Sequence, residues 1–587
     1  MVKPAIVILG VSALPLAEKL KAELDGEIHG PKYMDGPDVN YGRATQHLSR
    51  LFKDRRSIIG LCASGILIRA LAPHLEDKRN EPPVIAVAED GSSAVPLLGG
   101  HHGANELARR IAALCHGHAA ITTAGDIRFG AALDEPPAGY SIENHEHIKE
   151  FAARILASEP VHVEGNAPWL SHLPQSPEAR LQITVTERDV PGSPSHLVFH
   201  PQTLTVGVGC ERGTGYEEVT KLVYGTLRKQ GLSDASVACY ASIDLKEDEP
   251  AIYGLEYSRM RFFSAEELRG QAAKVLTPSE IVERETGTPS VAEAAALAAA
   301  GPESKLIVPK TKSKRATCAI AMAPAPILEF RGRIKGSLSV VGIGPGRKPW
   351  RSQMAVTELL VATDWVGYDL YLDLVADLND GQTEHRFPLG AEEDRVRHAI
   401  NLAKEGKQVA LVCSGDAGIY AMAALVYEIV DLEPCRIEVR VIPGISAFQA
   451  AAAKAGAMIG HDFCCISLSD LLTPWETIER RVKAAADGDF VVAFYNPRSA
   501  KRRDQLERAM AILKPHRPPE TPVVIASNLG RSEEKMKIVP FAEFDADDVD
   551  MLTLVMVGSS QSKFFQRGDG QTYAYTPRGY AKKREQP

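Results

Sequence analysis

The sequence predicts an α/β multidomain protein with a cofactor cradle that opens its C-terminal half. Three observations carry this. First, SLSVVGIGPGR (Ser337–Arg347) passes from a β-branched apolar run into a turn containing Gly342, Gly344, Pro345 and Gly346. The following MAVTELLVATDWV has helical spacing, so the stretch reads as strand, tight loop and helix. Second, the same order returns in ALVCSGDAGIYAMAALV (Ala410–Val426) and VRVIPGISAFQAAAAKAGA (Val439–Ala457). Three such units suggest three loops converging at one end of a parallel sheet. Third, strand and helix patterns also alternate over residues 1 to about 125.

Composition bounds the function. A chain of 587 residues is too long for one core, and three to five domains are expected. Hydrophobic residues make up 44% and charged residues 24%, the balance of an ordinary soluble protein. A net charge of −8 and the lack of a long basic block argue against a nucleic-acid partner. No run approaches the ~20 apolar residues that span a bilayer, so no membrane partner and a cytoplasmic location are expected. The nine cysteines form no C-x-x-C pair, and Cys464 and Cys465 are adjacent. That pattern points to a reducing compartment and to no metal site.

In chain order, Ala5–Leu9 reads as a first strand, Gly10 as a turn and LAEKLKAEL as a helix. A signal peptide is the rival, disfavoured because the helix runs on into polar sequence. Ser57–Leu75 gives strand, small-residue turn and helix. Pro82–Leu114 gives a strand, an Asp90-Gly91 turn, a short apolar segment and a helix from about Ala104. GGHHGAN, with His101 and His102, is a candidate anion site, against a plain turn with solvated histidines. Residues 126–202 carry PP, PG and SP pairs, a helix near Glu146–Leu156 and a polar stretch Gly165–Arg180, and read as a linker or small middle domain. Residues 203–325 open on LTVGVGCERGTGYEEV, a strand and a glycine turn before a helix with Glu217 and Glu218 in its first turn. Glu211, Arg212, Lys246, Glu249, Lys310 and Lys312 stand near strand ends there, as ligand contacts or solvated charges. APAPILEFRGRIKGS (Ala323–Ser337) reads as a linker between two gene-sized units. Both glycine turns lack the third glycine of the dinucleotide fingerprint, where Arg212 and Arg347 stand.

GIGPG, SGDAGIYAM, IPGISAFQAAAA, HDFCCISLSDLLTPW, FYNPRS and SNLGR occur in this order. Together they resemble the class III tetrapyrrole methyltransferases, and among them the ring-contracting C-17 methyltransferases of cobalamin synthesis. CASGILIRAL and AEDGSSAVPLLGGHHGANELAR resemble the CbiG N-terminal domain, and the series from LTVGVGCERGTG to LIVPKTKSKRATCAIA resembles the CbiG C-terminal domain. The implied architecture is a set of CbiG-like α/β domains followed by a two-subdomain class III tetrapyrrole methyltransferase. The boundaries expected are 1–125, 126–202, 203–325, a linker at 326–336, and 337–587.

The resemblance implies S-adenosylmethionine as cofactor and a polycarboxylate tetrapyrrole as substrate. It also implies a homodimer and, as further partners, other enzymes of the corrin pathway. Carried over residue by residue, cofactor contacts fall on Gly342, Gly344, Pro345, Gly346, Ser414, Gly415, Asp416, Gly418, Ile419, Tyr420, Ser446, Ala447, Leu471, Tyr495, Asn496 and Val557. Asp416 also reads as a helix N-cap. Substrate contacts are expected from Arg347, Lys348, Arg351, Arg498 and Arg531, from Trp475 unless it simply packs, and from His101 and His102 in the N-terminal domain. Proton-transfer candidates by type are His461, Asp462, Ser467, Ser469 and Asp470. Arg480, Arg481, Lys501, Arg502 and Arg503 read as solvated helix charges. The implied reaction is methylation at C-17 with ring contraction, on a cobalt-free substrate or its cobalt-containing equivalent. The CbiG-like half would open a lactone or only bind and carry the intermediate.

Overall fold

The computed structural model describes residues 3–75, 81–122, 133, 134, 136–346, 348–498 and 504–580. By packing, the chain divides into two compact units. One comprises Met1–Gly207, Glu217–Tyr240 and Ala299–Phe330, the other Val208–Tyr216, Ala241–Ala298 and Arg331–Pro587.

The first unit opens on a seven-stranded sheet. Its founding strand, Ala5–Ile8, is fully buried and pairs in parallel with Glu27–Pro31 on one side and Ile58–Leu61 on the other. A strand with partners on both edges and cores on both faces needs a continuous apolar run, and AIVI supplies it. The following helix spans Leu14–Leu24, with Ala17 and Leu20 facing the core. The short apolar segment after the Asp90-Gly91 turn is itself a strand, Ser93–Leu98, antiparallel to Val84–Val87. The helix that follows runs from Ala104 to Cys115.

Residues 140–201 form a small folded layer rather than a linker. Four strands take the spatial order Tyr140–Ile142, His196–Pro201, Leu181–Val185, Val161–Glu164. The helix read near Glu146–Leu156 is a 3-10 turn, His145–His147, leading into an α-helix, Ile148–Leu156. The polar Gly165–Arg180 stretch is held because its few apolar residues are buried: Leu170 and Leu173 lie in one core with Phe151 and Phe199. Acids at the start of the Tyr216–Lys229 helix do more than favour its dipole. Glu218 accepts from Ser313 Oγ at 2.6 Å and from Arg315 N at 2.7 Å, clamping the turn between strands Lys305–Lys312 and Ala316–Met322.

In the second unit five strands form an all-parallel sheet of order Thr383–Phe387, Asp364–Tyr368, Gln408–Cys413, Ser337–Gly342, Glu438–Ile442. The expected helix over MAVTELLVATDWV ends early. It spans Gln353–Val361, and Asp364-Trp365-Val366 enter the sheet, because a fully buried tryptophan and a β-branched residue fit a two-sided sheet interior. A second sheet, of order Phe463–Ser467, Val491–Tyr495, Thr553–Val557, Pro522–Ser527, Lys535–Pro540, is mixed. The Ala323–Ser337 stretch is not a free tether. Arg333 exchanges two backbone hydrogen bonds with Phe262, at 2.8 and 3.0 Å, and its guanidinium meets the buried Glu247 at 2.8 Å and Asp244 at 3.5 Å.

Among the described residues no helix is long and apolar enough to cross a membrane, and no group of His, Cys, Asp and Glu is arranged to hold a metal ion. All nine cysteines are free.

A partly buried polar chain, Glu27, Arg56, His29 and His47, lies on the first sheet. Glu27 Oε2 lies 2.9 Å from Arg56 Nη1 and 3.0 Å from His29 Nε2, and His29 Nδ1 lies 2.9 Å from His47 Nε2. The close approach of His29, helped by Arg56, draws the Glu27 carboxyl down to about 2 against the opposing effect of burial. Burial, reinforced by His29, pushes the His47 imidazole down to about 4 from 6.5. The folded protein therefore resists a proton that the unfolded chain accepts, so stability present above pH 6.5 is lost as pH falls towards 4. Allowing for screening at this half-buried site, we expect a loss of roughly 1–2 kcal/mol between about pH 7 and about pH 5. Urea titration read by hydrogen exchange on the Glu27–Pro31 strand checks this, and His47→Asn should remove most of the pH dependence.

Candidate functional site

The three glycine-bearing loops leave adjacent strands. Ser337–Gly342 lies between Gln408–Cys413 and Glu438–Ile442, so all three loops emerge side by side at the carboxyl end of the parallel sheet. This is where open α/β sheets place their ligands. The loops then touch through their backbones. Gly344 N donates to Gly415 O at 3.0 Å, and Gly415 N to Gly344 O at 2.8 Å. Side chains are excluded here by distance. A Cβ on Gly444 would sit 2.1 Å from Gly415 O and 2.6 Å from Gly342 O, and one on Gly342 would sit 2.8 Å from Gly415 O. Gly344 also adopts φ 79°, open to glycine at no steric cost.

Asp416 fastens the junction. Its Oδ1 accepts from Gly418 N at 2.8 Å, and its Oδ2 from Gly444 N at 3.1 Å. It is not a helix cap: the next helix begins at Met422, and Ala421 is its N-cap. Ser446 is an N-cap, buried at the head of helix Ala447–Ala455, where its backbone N donates to Gln449 Oε1 at 3.0 Å.

The second sheet contributes from its own strand ends. Tyr420, in the left-handed region at φ 51°, donates from its hydroxyl to Cys465 O at 2.8 Å, and its ring lies 5.2 Å from that of Tyr495. Tyr495 Oη accepts from Phe448 N at 3.3 Å. Burial raises the pKa of both phenols, so both stay neutral hydrogen-bonding groups. Asn496 (φ 48°) donates to Ser467 Oγ at 3.1 Å, and Ser467 Oγ also accepts from Ser469 N. A bulky aromatic at positive φ is strained, and such strain gathers at functional sites. The SNLGR loop closes the group: Gly346 packs against Gly530, and Arg531 donates to Pro345 O at 3.3 Å and Ser414 Oγ at 3.4 Å. Ile419 and Ala447 pack beneath with Trp350, which sequence reasoning did not single out.

Other candidates fall elsewhere. Val557 lies in the core on the opposite face of the second sheet from Tyr495, as strand alternation requires. Trp475 packs on that same core, with Arg508 4.1 Å above its ring and its indole N–H on Glu479. Arg498 is bound to Ala546 O and Asp547. Arg351 is buried against Leu374 O and Asp377, capping a helix end, and Lys348 lies 4.0 Å from Asp377. His461 is 2.8 Å from Pro577 O, Asp462 is exposed, and Asp470 accepts from Gln505. Leu471 is exposed, and Ser469 is half-buried beside it. Arg480 and Arg481 are exposed on their helix. Arg347, Lys501, Arg502, Arg503 and the side chain of His101 lie outside the described residues. His102 is exposed at the end of a 3-10 turn. Near the earlier glycine turn, Arg212 pairs with Asp248, and the buried Glu249 accepts from Gly213 N at 3.1 Å.

A parallel sheet with three fused loops, set beside a mixed sheet, defines a two-subdomain α/β protein with a loop-built ligand site at its parallel sheet. The family model for tetrapyrrole (corrin/porphyrin) methylases matches residues 337–545, and those for the cobalamin synthesis G N-terminal and C-terminal regions match 46–126 and 204–321. The chain is 44% identical over 243 residues to a probable cobalt-factor III C(17)-methyltransferase of Salmonella typhimurium, covering 41% of this chain and 99% of that protein. It is 39% identical over 249 residues to a precorrin-3B C(17)-methyltransferase of Sinorhizobium sp, covering 42% and 98%. It spans about half, 51%, of the Mycobacterium tuberculosis protein CobIJ, at 42% identity over 44% of this chain. A crystal structure of the methyltransferase CobJ aligns at 39% identity with a TM-score of 0.39, over 41% of this chain and 100% of that one. The chain belongs to the tetrapyrrole methylase family and is a methyltransferase fused to cobalamin synthesis G regions.

Gly444→Ala is expected to force the loops apart and lower stability by about 2–4 kcal/mol. Thermal unfolding followed through the second unit measures this, with Gly568→Ala as a control at a site where nothing lies within 4 Å.

Proposed function

We propose that this chain transfers a methyl group from S-adenosylmethionine to C-17 of a ring-contracting corrin precursor. The observation that supports this best is the junction of Gly342, Gly415 and Gly444 beneath Asp416, within a family-matched segment. The junction suits such a ligand. The Cβ position of Gly415 meets nothing nearer than Ala447 N at 3.9 Å, so its backbone faces open space on one side. Ser414–Tyr420, Ser446, Ala447, Tyr495 and Asn496 would hold the cofactor, through backbone groups and small side chains. When bound, the cofactor supplies an electrophilic methyl group.

The protein's share is positioning. Both Asp416 oxygens are engaged by backbone N–H groups, which leaves this carboxylate a staple and not a base. Cys413 is fully buried, and its thiol is pushed up to about 12, so it is not a nucleophile. Holding the methyl group and an electron-rich ring carbon in line supplies the acceleration. The substrate proposed is precorrin-3B, with the cobalt-containing ring as the second reading; this chain covers almost the whole length of relatives named for each. The cobalamin synthesis G half would handle the contracted intermediate, by opening its lactone or by carrying it. We place the protein in a reducing compartment, as its unpaired cysteines favour, and as a homodimer through its methyltransferase half.

The test is one incubation of full-length protein with S-adenosylmethionine and precorrin-3B, with and without cobalt, followed by mass spectrometry. Gain of one methyl group with acetyl formation is the expected result, and no methyl gain on either ring overturns the proposal. Asp416→Ala should weaken S-adenosylhomocysteine binding by about 10-fold or more, read by calorimetry, since one carboxylate orders two loops.

A further inference from the structure

The SNLGR loop, Ser527–Arg531, is seated on its neighbours without slack. It carries two left-handed residues, Asn528 at φ 50° and Gly530 at φ 69°. A Cβ on Gly346 would lie 2.1 Å from Gly530 O. One on Gly530 would lie 2.8 Å from both Cδ1 and Nε1 of Trp350. From the same turn Arg531 reaches Pro345 O and Ser414 Oγ. Packing this close passes a displacement of Gly530 to the first glycine loop, and through Arg531 to the second.

One carboxylate sets where Gly530 stands. Glu534 Oε2 accepts from Gly530 N at 2.6 Å, and Glu534 Oε1 lies 2.6 Å from Lys454 Nζ. Lys454 is in the last turn of the helix Ala447–Ala455, whose N-cap is Ser446 of the third loop. Its ammonium also lies 5.6 Å from the centroid of the Trp350 ring, within the range of a cation–π contact. Trp350 in turn packs with Ile419 and Ala447. The contacts close a circuit that runs from the third loop's helix through Lys454 and Glu534 to Gly530, and on to the first and second loops. Burial acts to raise the Glu534 carboxyl, but Lys454 and the Gly530 N–H outweigh it and hold the group below its ordinary value.

This pair is poorly placed to stabilise the fold as a whole. Its side chains keep 34% and 26% of their surface exposed, and ion pairs so open to water contribute little. What the pair does well is geometric. Two oxygens of one rigid group tie an amide of a left-handed turn to a helix end. We propose that Lys454 and Glu534 are positioning residues for methyl transfer, holding the SNLGR loop in register over the glycine-loop junction. They act through Gly530 and Arg531 rather than on the reacting atoms. That the ligands lie against this junction rests on the functional reading above. Misplacement of reacting groups by about 1 Å costs about 100-fold in rate, so partial release of one loop is expected to cost about 10-fold.

The test uses full-length protein and the variants Lys454→Met, Lys454→Arg, Glu534→Gln and the double variant Lys454→Met/Glu534→Gln. Lys483→Met is the control: it breaks a 2.7 Å ion pair with Glu479 on the helix Trp475–Asp487, outside the circuit. Thermal unfolding, hydrogen exchange of the segment 527–534, and kcat and KM for precorrin-3B at saturating S-adenosylmethionine are measured for each. Lys454→Met and Glu534→Gln should each lower kcat about 10-fold or more and speed exchange of the loop, with Tm within about 3 °C of the wild type. Lys454→Arg keeps the charge and recovers most of the loss. The double variant is no worse than either single, because both sever one pair. The control changes neither exchange nor kcat. A merely structural pair would lower Tm and leave kcat and KM of the folded enzyme within about twofold, and that result overturns the proposal. So do single effects that multiply in the double variant. Should the wild type methylate no tetrapyrrole, the functional reading fails on its own, and S-adenosylhomocysteine calorimetry replaces the kinetics. Faster exchange with binding weakened about 10-fold in both single variants then supports the positioning role, and unchanged exchange or unchanged binding overturns it.

Discussion

The contact on which the second unit depends is backbone against backbone. Gly342, Gly415 and Gly444 come from three separate strands and approach to distances that no side chain survives. Two reciprocal hydrogen bonds between Gly344 and Gly415 extend the sheet past its nominal end, as an isolated antiparallel bridge. Close approach of this kind fixes where the peptide groups point. A ligand that meets them finds donors and acceptors already ordered, and the entropy of ordering them belongs to folding rather than to binding. The Asp416 carboxylate completes this, because one rigid group receives N–H bonds from two loops.

The rest of the second unit supports that junction from two directions. Below it, the parallel sheet is sealed by apolar residues on both faces, with Trp365 wholly buried and its indole N–H donated to Leu359 O. Across from it, the mixed sheet sends in Tyr420 contacts, Tyr495 and the SNLGR loop. Strain is concentrated where the two meet: Tyr420, Asn496 and Asn528 are all left-handed. Asparagine tolerates that conformation well, and tyrosine does not, so the hydrogen bond from Tyr420 to Cys465 O offsets a local cost.

Much of this was legible in the sequence, and for identifiable reasons. Periodicity exposed the buried strands, since AIVI and SLSVVG admit few other readings. Small residues after strands exposed the loops. What sequence could not give was the partner of each polar group. Asp416 reads as a cap from its spacing, yet its second oxygen serves a glycine 28 positions away. Trp475 and Arg498 sit in distinctive motifs, but their partners, Arg508 and Asp547, come from distant segments. Val557 and Tyr495 lie on opposite faces of the second sheet, a relation set by the antiparallel pairing of their strands and not by either motif alone. The helix over Gln353–Val361 ran long in the reading for another reason, since TDWV fits a helix until burial decides for the sheet.

The segment between the two gene-sized regions has a mechanical meaning. Arg333 is held to Phe262 by backbone bonds and to Glu247 by its guanidinium. Burial raises the pKa of Glu247, and the Arg333 guanidinium opposes that rise. Arg333 and Ser337 are four positions apart in sequence. Chain of that length extends no more than about 14 Å. What reads as fourteen-odd residues of spacer is therefore a short leash, staked near its far end. The chain before Arg333 is pinned as well, with Ala323 N on Thr203 O at 2.9 Å and Ile327 N on Gln202 O at 3.0 Å, so the segment carries little slack, and each residue added after Arg333 would lengthen the leash directly.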